Sequence, residues 1–418
     1  MDMGSTTYAI VAHHYWNRAG GGELVCAAAA MALEYAGFEP VLVSPIRIDV
    51  SRYPEWFGID LSRYRKVDLG IELKAFGLYL RLLEGYVLSK AIRMSFPKLV
   101  FVDIATYKRA LDALRQYGSR LIEYIHFPFE VWFRRDLTLG IDPTRDPYIA
   151  ERYSRFPMNV YFKLFVKLLP RFMRENPFEV ASLVLANSRW TAELVKRVYG
   201  EEPVVLNPPI PPNVEVVGEP NPFEAREDAV VMVGRFSEEK RYHWVIEEVL
   251  PRLRREVPSV KLYVLGSTGT KMSRAYYGRL VSLASRLGLK VSGELGTEAD
   301  VYLVENAPRT TINEVMDRAR IFLHATVNEH WGIAVAEAMA RGLPVVVHRS
   351  GGTWSDLAGE GAYGLGYTTA DEACEALARV ITDPKLWSYY SRSSTEKAGG
   401  LTLGRFVERF VELLRGLG

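Results

Sequence analysis

A chain of 418 residues with 48% hydrophobic and 24% charged side chains has the apolar content for large cores and is too long for one of ordinary size, which predicts two domains and excludes disorder. Lys plus Arg number 52 against 50 for Asp plus Glu, a balance that excludes a chain built chiefly to coat nucleic acid, so no nucleic-acid partner is expected. The two cysteines, Cys26 and Cys374, are far apart and match neither a disulfide framework nor a metal cluster, which fits a reducing cytoplasm.

The opening MDMGSTTYAIVAHHYW lacks the basic start and long apolar run of a signal peptide. No window offers about 18 uninterrupted apolar residues for a spanning helix, so a cytoplasmic chain, free or lying on a membrane face, is expected. TYAIVA (7–12) reads as a strand, followed by GGGE at 20–23 and the Ala-rich helix LVCAAAAMALEYAG ending at Gly37. PVLVS, KLVFVDI (98–104), RLIEYIH (120–126) and ASLVLANS (181–188) read as further strands. Continuous apolar strands separated by helices are the grammar of a parallel sheet covered on both faces. A single glutamine, Gln116, matches the amide depletion selected at high temperature and predicts a thermophile.

Six prolines in NPPIPPNVEVVGEPNPFEARED interrupt any helix or central strand. The expected organisation is therefore 1–208 as an N-terminal domain, 209–228 as a Pro-rich linker, 229–390 as a C-terminal domain and 391–418 as a C-terminal helical segment. In the second half, AVVMVGR, KLYVLGS, DVYLVE, IFLHAT and LPVVVH are predicted strands alternating with helices over 242–256, 273–287, 310–319 and from about 333. The fold class is α/β: two doubly wound domains whose sheets present their carboxyl ends to one crevice, where such sheets bind ligands.

The segment HATVNEHWGIAVAEAMARGLPVVVHRSGG (324–352) carries the strongest chemical signal. Glu329 falls on a loop, Gly332 lets the chain turn, and IAVAEAMA starts a helix whose free amides at Gly332 and Ile333 suit a phosphate or a sugar hydroxyl, with Glu337 in its second turn. GRFSEEK places Arg235 and Lys240 at the end of a strand, two cations able to offset charge on a departing diphosphate. Each of these residues also has an ordinary reading, as a solvated glutamate or a surface ion pair worth at most about 1 kcal/mol. GGGE, with Gly21, Gly22 and Glu23, lets backbone amides approach a ligand, although it is not GxGxxG. His126, and His13 and His14, stand at strand ends facing the same crevice. No Asp-x-Asp occurs, which leaves neutralisation to cations and helix ends, with no metal and no cofactor expected. In VYFKLFVKLLPRFMR (160–174), Lys163, Lys167, Arg171 and Arg174 recur as one basic stripe with Phe162, Phe165, Val166, Leu169, Phe172 and Met173 filling the rest. Such a helix suits an anionic membrane surface, and equally a core-covering helix with a solvated basic face.

These motifs, in this order, resemble the retaining family 4 glycosyltransferases of two Rossmann-like domains (GT-B architecture). NEHWGIAVAEAMARG, YIHFPFE and NSRWT (187–191) are most similar to the GDP-mannose-dependent alpha-1,2-mannosyltransferases of the dolichol pathway, which extend lipid-linked oligosaccharides in N-glycosylation. The eukaryotic members carry an amino-terminal membrane anchor that this sequence lacks. The resemblance implies a retaining, metal-independent hexosyltransferase, peripheral on the cytoplasmic membrane face. In it Arg235 and Lys240 hold the donor diphosphate, Glu337 the ribose, and Glu329 with the amides at Gly332 and Ile333 the transferred sugar. His126 lies near the sugar and the attacking hydroxyl. Acceptor contacts fall to Gly21, Gly22, Glu23 and His14, and membrane contacts to Lys163, Lys167, Arg171 and Phe165. A transferase using a UDP-sugar and another acceptor, and a catalytically silent sugar-nucleotide-binding protein, carry the same motifs; turnover with each donor separates them.

Overall fold

The computed structural model describes residues 7–72, 77–132, 153 and 155–417; the first six residues of the amino-terminal stretch read above lie outside them. The described chain divides into two compact units, one holding residues up to Pro212 together with those from Leu403 on, the other Asn213–Thr402.

In the first unit seven strands form one sheet. They are β1 (Tyr8–Ala12), β2 (Glu39–Ile46), β3 (Arg65–Ile71), β4 (Leu99–Val102), β5 (Arg120–Ile125), β6 (Leu183–Ala186) and β7 (Val204–Val205), in the order 3-2-1-4-5-6-7. Every pairing is parallel. The central strands are buried on both faces, with Ile10, Val41, Val100 and Ile122 fully enclosed, because helices cover each side. One of these is α1 (Gly21–Tyr35), whose run of alanines is buried almost throughout. Another is α2 (Glu84–Ser95). The strand β3 escaped sequence reading because RKVDLGI is an edge strand with only Val67 buried, and β7 is two residues long.

The second unit repeats the plan. β8 (Glu227–Val233), β9 (Lys261–Gly266), β10 (Val291–Ser292), β11 (Val301–Glu305), β12 (Ala319–His324), β13 (Val345–His348) and β14 (Leu365–Tyr367) are ordered 10-11-9-8-12-13-14, again all parallel. In each sheet the strand order reverses at one place, between β1 and β4 in the first and between β8 and β12 in the second, which is where open α/β sheets hold ligands.

The boundaries differ from the expected ones in two ways. The chain passes from one unit to the other after Pro212, and the rest of the proline-rich stretch is fastened to the second unit: Val217 N–H donates to Ala340 O at 2.9 Å, and the Arg226 guanidinium donates to the carbonyls of Asn221, Met316 and Ala319 at 2.8–2.9 Å. The expected segment 391–418 is divided as well. The helix Pro384–Gly399 belongs to the second unit, whereas the last helix returns to the first and packs on α1, with Phe410 edge-on to Phe101 of β4 at 5.7 Å between ring centres.

Candidate functional site

In the second unit the reversal point gathers most of the sequence-predicted donor residues. β8 ends before Gly234, and the short turn Glu238–Lys240 brings the Lys240 side chain back past that glycine. β12 ends at His324, and the following loop carries Glu329. Lys240 Nζ donates to Glu329 Oε2 at 2.7 Å, and His324 Nε2 lies 3.1 Å from the same oxygen. Burial alone would push the Glu329 carboxyl up, but the Lys240 ammonium and the His324 hydrogen bond outweigh it and hold it well below the usual carboxylate range. Burial pushes His324 down, so its ring is neutral and its Nε2–H is the donor. With both partners on Oε2, the second oxygen of Glu329 has no hydrogen-bond partner among the described residues.

The loop is built for this placement by glycines. At Gly351, φ is +73° and a Cβ would lie 2.2 Å from the Glu329 carbonyl oxygen, so only glycine lets the GLPVVVHRSGG segment close on the Glu329 backbone, where Gly352 N–H donates to Glu329 O at 2.8 Å. Gly332, at φ +95°, turns the chain into α6 (Ile333–Ala340, here counted after α3 Met158–Leu168, α4 Arg189–Tyr199 and α5 Arg309–Arg318). No side chain caps α6, which leaves the first amides of the helix free for a ligand.

Arg235, two residues beyond β8, donates to Glu239 Oε1 at 3.1 Å and its side chain is 55% exposed, so it stands at the same strand end as an ion-paired, largely exposed cation. Glu337 is buried and receives both arms of Arg309, the first residue of α5, at 2.9 and 3.0 Å. The sequence reading missed His324 and Arg309; His324 had the signal of standing at a strand end. Arg241, also missed, has φ +54° and lies over the Trp244 ring at 4.3 Å.

The first unit carries a second cluster at its own reversal point. His13 follows β1 and Asp103 follows β4, and His13 Nδ1 lies 2.8 and 2.9 Å from the two Asp103 oxygens. His126, after β5, reaches Asp103 Oδ2 through Nε2 at 3.2 Å. Burial disfavours charge on His13, yet the Asp103 carboxylate raises its pKa well above the ordinary value, and burial of Asp103 is in turn outweighed by the two histidines, which hold its carboxyl down. The carboxylate therefore only accepts, and His13 Nδ1 and His126 Nε2 both donate to it, which leaves Nδ1 of His126 outside this pairing. Gly22 is pressed against all three side chains: a Cβ there would stand 3.2 Å from His13, 3.3 Å from Asp103 and 3.6 Å from His126. His13, Cys26 and Asp103 also place donor atoms within 4.8 Å of one another. The 2.8 Å contact of His13 with Asp103 is shorter than the ~3.3 Å between two ligands at ~2 Å from one tetrahedral ion, so the cluster has the spacing of a hydrogen-bonded pair.

Several first-unit expectations need correction. Glu23 does not present a free carboxylate to an acceptor: it is buried, takes a 2.6 Å hydrogen bond from Arg18, and is held down to about 2 because His13 and Arg18 outweigh burial. His14 is buried and kept neutral by burial and by the Arg81 and His13 charges, so it lines the interior of the cluster. Phe165 does not face outward for a membrane; it is enclosed with Leu82, Leu169 and Met173. Arg174 does not continue the basic stripe, because Pro170 ends regular helix before it and its buried guanidinium binds Glu123 at 2.6 Å and Tyr199 at 2.7 Å, with Glu130 on the same arm. Phe156 at the entry to α3 and Met158, Val160 and Leu164 within it are exposed, as are Lys163 and Lys167 and, just beyond the helix, Arg171. NSRWT has a local purpose: Asn187 donates to the His126 carbonyl at 3.1 Å, and Ser188 caps α4.

Glu84, at the start of α2, is a buried carboxyl with neither oxygen hydrogen-bonded; burial raises it to about 8, the His13 charge opposes and the Asp103 charge adds. The folded chain thus keeps a proton that the unfolded chain releases near the ordinary value of 4.5. Its favourable contribution is whole below that value and is lost as pH rises toward 8. Glu84→Gln should therefore gain roughly 4 kcal/mol over the parent at pH 8 and little at pH 4.5, read by urea unfolding at both pH values; an equal gain at both would refute the assignment.

A family model described as "Glycosyl transferases group 1" matches residues 218–397, the stretch that holds Lys240, Glu329 and Glu337. These residues form a group 1 glycosyl transferase domain. The chain is 23% identical over 436 residues to a GDP-Man:Man(3)GlcNAc(2)-PP-Dol alpha-1,2-mannosyltransferase of Caenorhabditis elegans, covering 96% of this chain and 88% of that protein. A protein of the same name from Dictyostelium discoideum is 20% identical, with 97% and 84% covered. Among solved structures, Anabaena HepE in complex with UDP and glucose is similar with a TM-score of 0.67 at 16% identity, over 98% of this chain and 100% of that one. The chain thus has the GT-B fold, with one parallel seven-stranded sheet in each unit.

Proposed function

We propose that this glycosyltransferase moves mannose from GDP-mannose, with retention and in alpha-1,2 linkage, onto a lipid-linked oligosaccharide. The observation that carries the transferase reading is the Lys240–Glu329–His324 group beside an uncapped helix start at the reversal point of the second sheet. Lys240 and Arg235 offset charge on the departing diphosphate, while the free Glu329 oxygen and the amides near Gly332 and Ile333 hold the sugar. Glu337 accepts the ribose hydroxyls. The nucleotide oxygen takes the acceptor proton as the new bond forms on the face the diphosphate leaves, so neither a protein nucleophile nor a metal is required. His126 accepts through Nδ1 from the sugar or the attacking hydroxyl, and Gly21 and Gly22 let the acceptor approach the α1 amides. The names of the relatives support GDP-mannose and the lipid-linked acceptor over a UDP-sugar.

Among the described residues no helix is long and apolar enough to cross a membrane. We propose instead that α3 lies on an anionic cytoplasmic surface through Phe156, Val160 and Leu164, with Lys163, Lys167 and Arg171 drawn to lipid headgroups at about 1 kcal/mol each. One experiment tests both readings: nucleotide release from GDP-mannose and UDP-glucose with a polyprenyl-diphosphate glycan presented on anionic or neutral vesicles. Release from GDP-mannose alone, faster on anionic vesicles and made indifferent to lipid charge by reversing Lys163, Lys167 and Arg171 to Glu, is the expected result. Preference for UDP-glucose overturns the donor, and unchanged lipid dependence in the reversed protein overturns the membrane face.

A further inference from the structure

Glu337 is the fifth residue of α6 and its side chain is only 5% exposed. A buried carboxylate needs a counter-charge, and it has one from a different element: Arg309 opens α5 after β11 and donates Nη1 to Oε2 and Nη2 to Oε1. Two parallel N–H···O bonds hold a carboxylate in one plane as a single point charge cannot. The fork takes one lone pair on each oxygen and leaves the other. Arg309 itself is one-quarter exposed, so the pair lies at the rim of the second sheet's ligand edge and not in its core.

We propose that Arg309 is a positioning residue for the donor: by holding the Glu337 carboxylate in one plane, it aims the remaining lone pairs at the two hydroxyls of the nucleotide ribose. The inference rests on the reading of Glu337 as the ribose acceptor. Neither part of the Arg309 side chain need touch the donor, and the effect on binding is confined to the part of the ligand that Glu337 meets.

The test is titration calorimetry of the full chain with GDP and with 2′,3′-dideoxy-GDP. The parent should prefer GDP by roughly 100-fold, the value of two hydrogen bonds to a charged acceptor. Arg309→Met should lose tenfold or more of that preference while its affinity for the dideoxy nucleotide changes less than about threefold. Arg309→Lys retains the counter-charge that a folded chain needs and lacks the fork, so it should lose preference as well. If both variants bind with the parent's full preference, the positioning role is overturned. If the parent itself does not distinguish GDP from its dideoxy form, the ribose role of Glu337 has failed, and the inference falls for that separate reason.

Discussion

Glu329→Ala and Lys240→Ala should each lower the rate of sugar transfer by roughly 100-fold or more, with a much smaller change in affinity for the nucleotide alone. The two side chains are joined at 2.7 Å, and each fails without the other in a different way. Removing Lys240 takes away a cation at the strand end where charge accumulates on the leaving diphosphate, a contribution made chiefly in the transition state and worth about 3 kcal/mol in comparable sites. It also releases the Glu329 carboxylate from the ammonium that opposes its burial, so the remaining acid takes up protons more readily. Rates of the Lys240 variant should therefore fall as pH is lowered through a range where the parent is flat. Removing Glu329 leaves Lys240 and His324 facing one another without the oxygen they share. The double variant should be little slower than the worse single one, because residues acting as a unit are not additive. Single-turnover rates with saturating GDP-mannose decide the matter; parental rates in either variant would remove this pair from the chemistry.

The second large effect is on stability. Arg174→Met should cost about 3–5 kcal/mol in urea unfolding, since it strands two carboxylates in the interior of the first unit. Glu123 and Glu130 are both nearly fully buried, and Arg174 binds them on different arms while Tyr107 donates to Glu123. Glu123 lies three residues before His126 and Glu130 four after it, so the guanidinium ties both ends of the segment that carries the histidine. Replacing all three charged residues by apolar ones of similar volume should recover most of the lost stability, yet leave the His126 segment without its tie. A cost under about 1 kcal/mol for Arg174→Met would contradict the buried network.

The basis of these two effects was unequally visible in the sequence. Lys240 and Glu329 could be found because a strand end and a glycine turn are written locally, in GRFSEEK and NEHWG, and the ligand edge of a parallel sheet follows from the alternation of elements alone. Arg174 could not, because VYFKLFVKLLPRFMR places it in step with three exposed basic residues, and only tertiary contact with Glu123 of β5 distinguishes it. Phe165 failed for the same reason in reverse: helical spacing tells which residues share a face, and not which face the rest of the protein covers. Asp103 had a strand-end address equal to that of His126, but the pairing of β1 with β4, not any spacing, brings it to His13. Glu337 was legible as a helix residue near the site, whereas its fork with Arg309 crosses 28 positions.

The return of the last helix, α7 (Leu403–Arg415), to α1 bears on how the polypeptide matures. During synthesis, α1 emerges early, and the face of it that α7 covers stays open until almost all of the remaining chain has been translated. The second unit, continuous in the chain, can complete its fold in that interval, while the first waits for Phe406 and Phe410 to arrive. A nascent or truncated chain stopped near position 400 should thus expose a sticky apolar seam to holdase chaperones, and supplying the missing peptide in trans should close it.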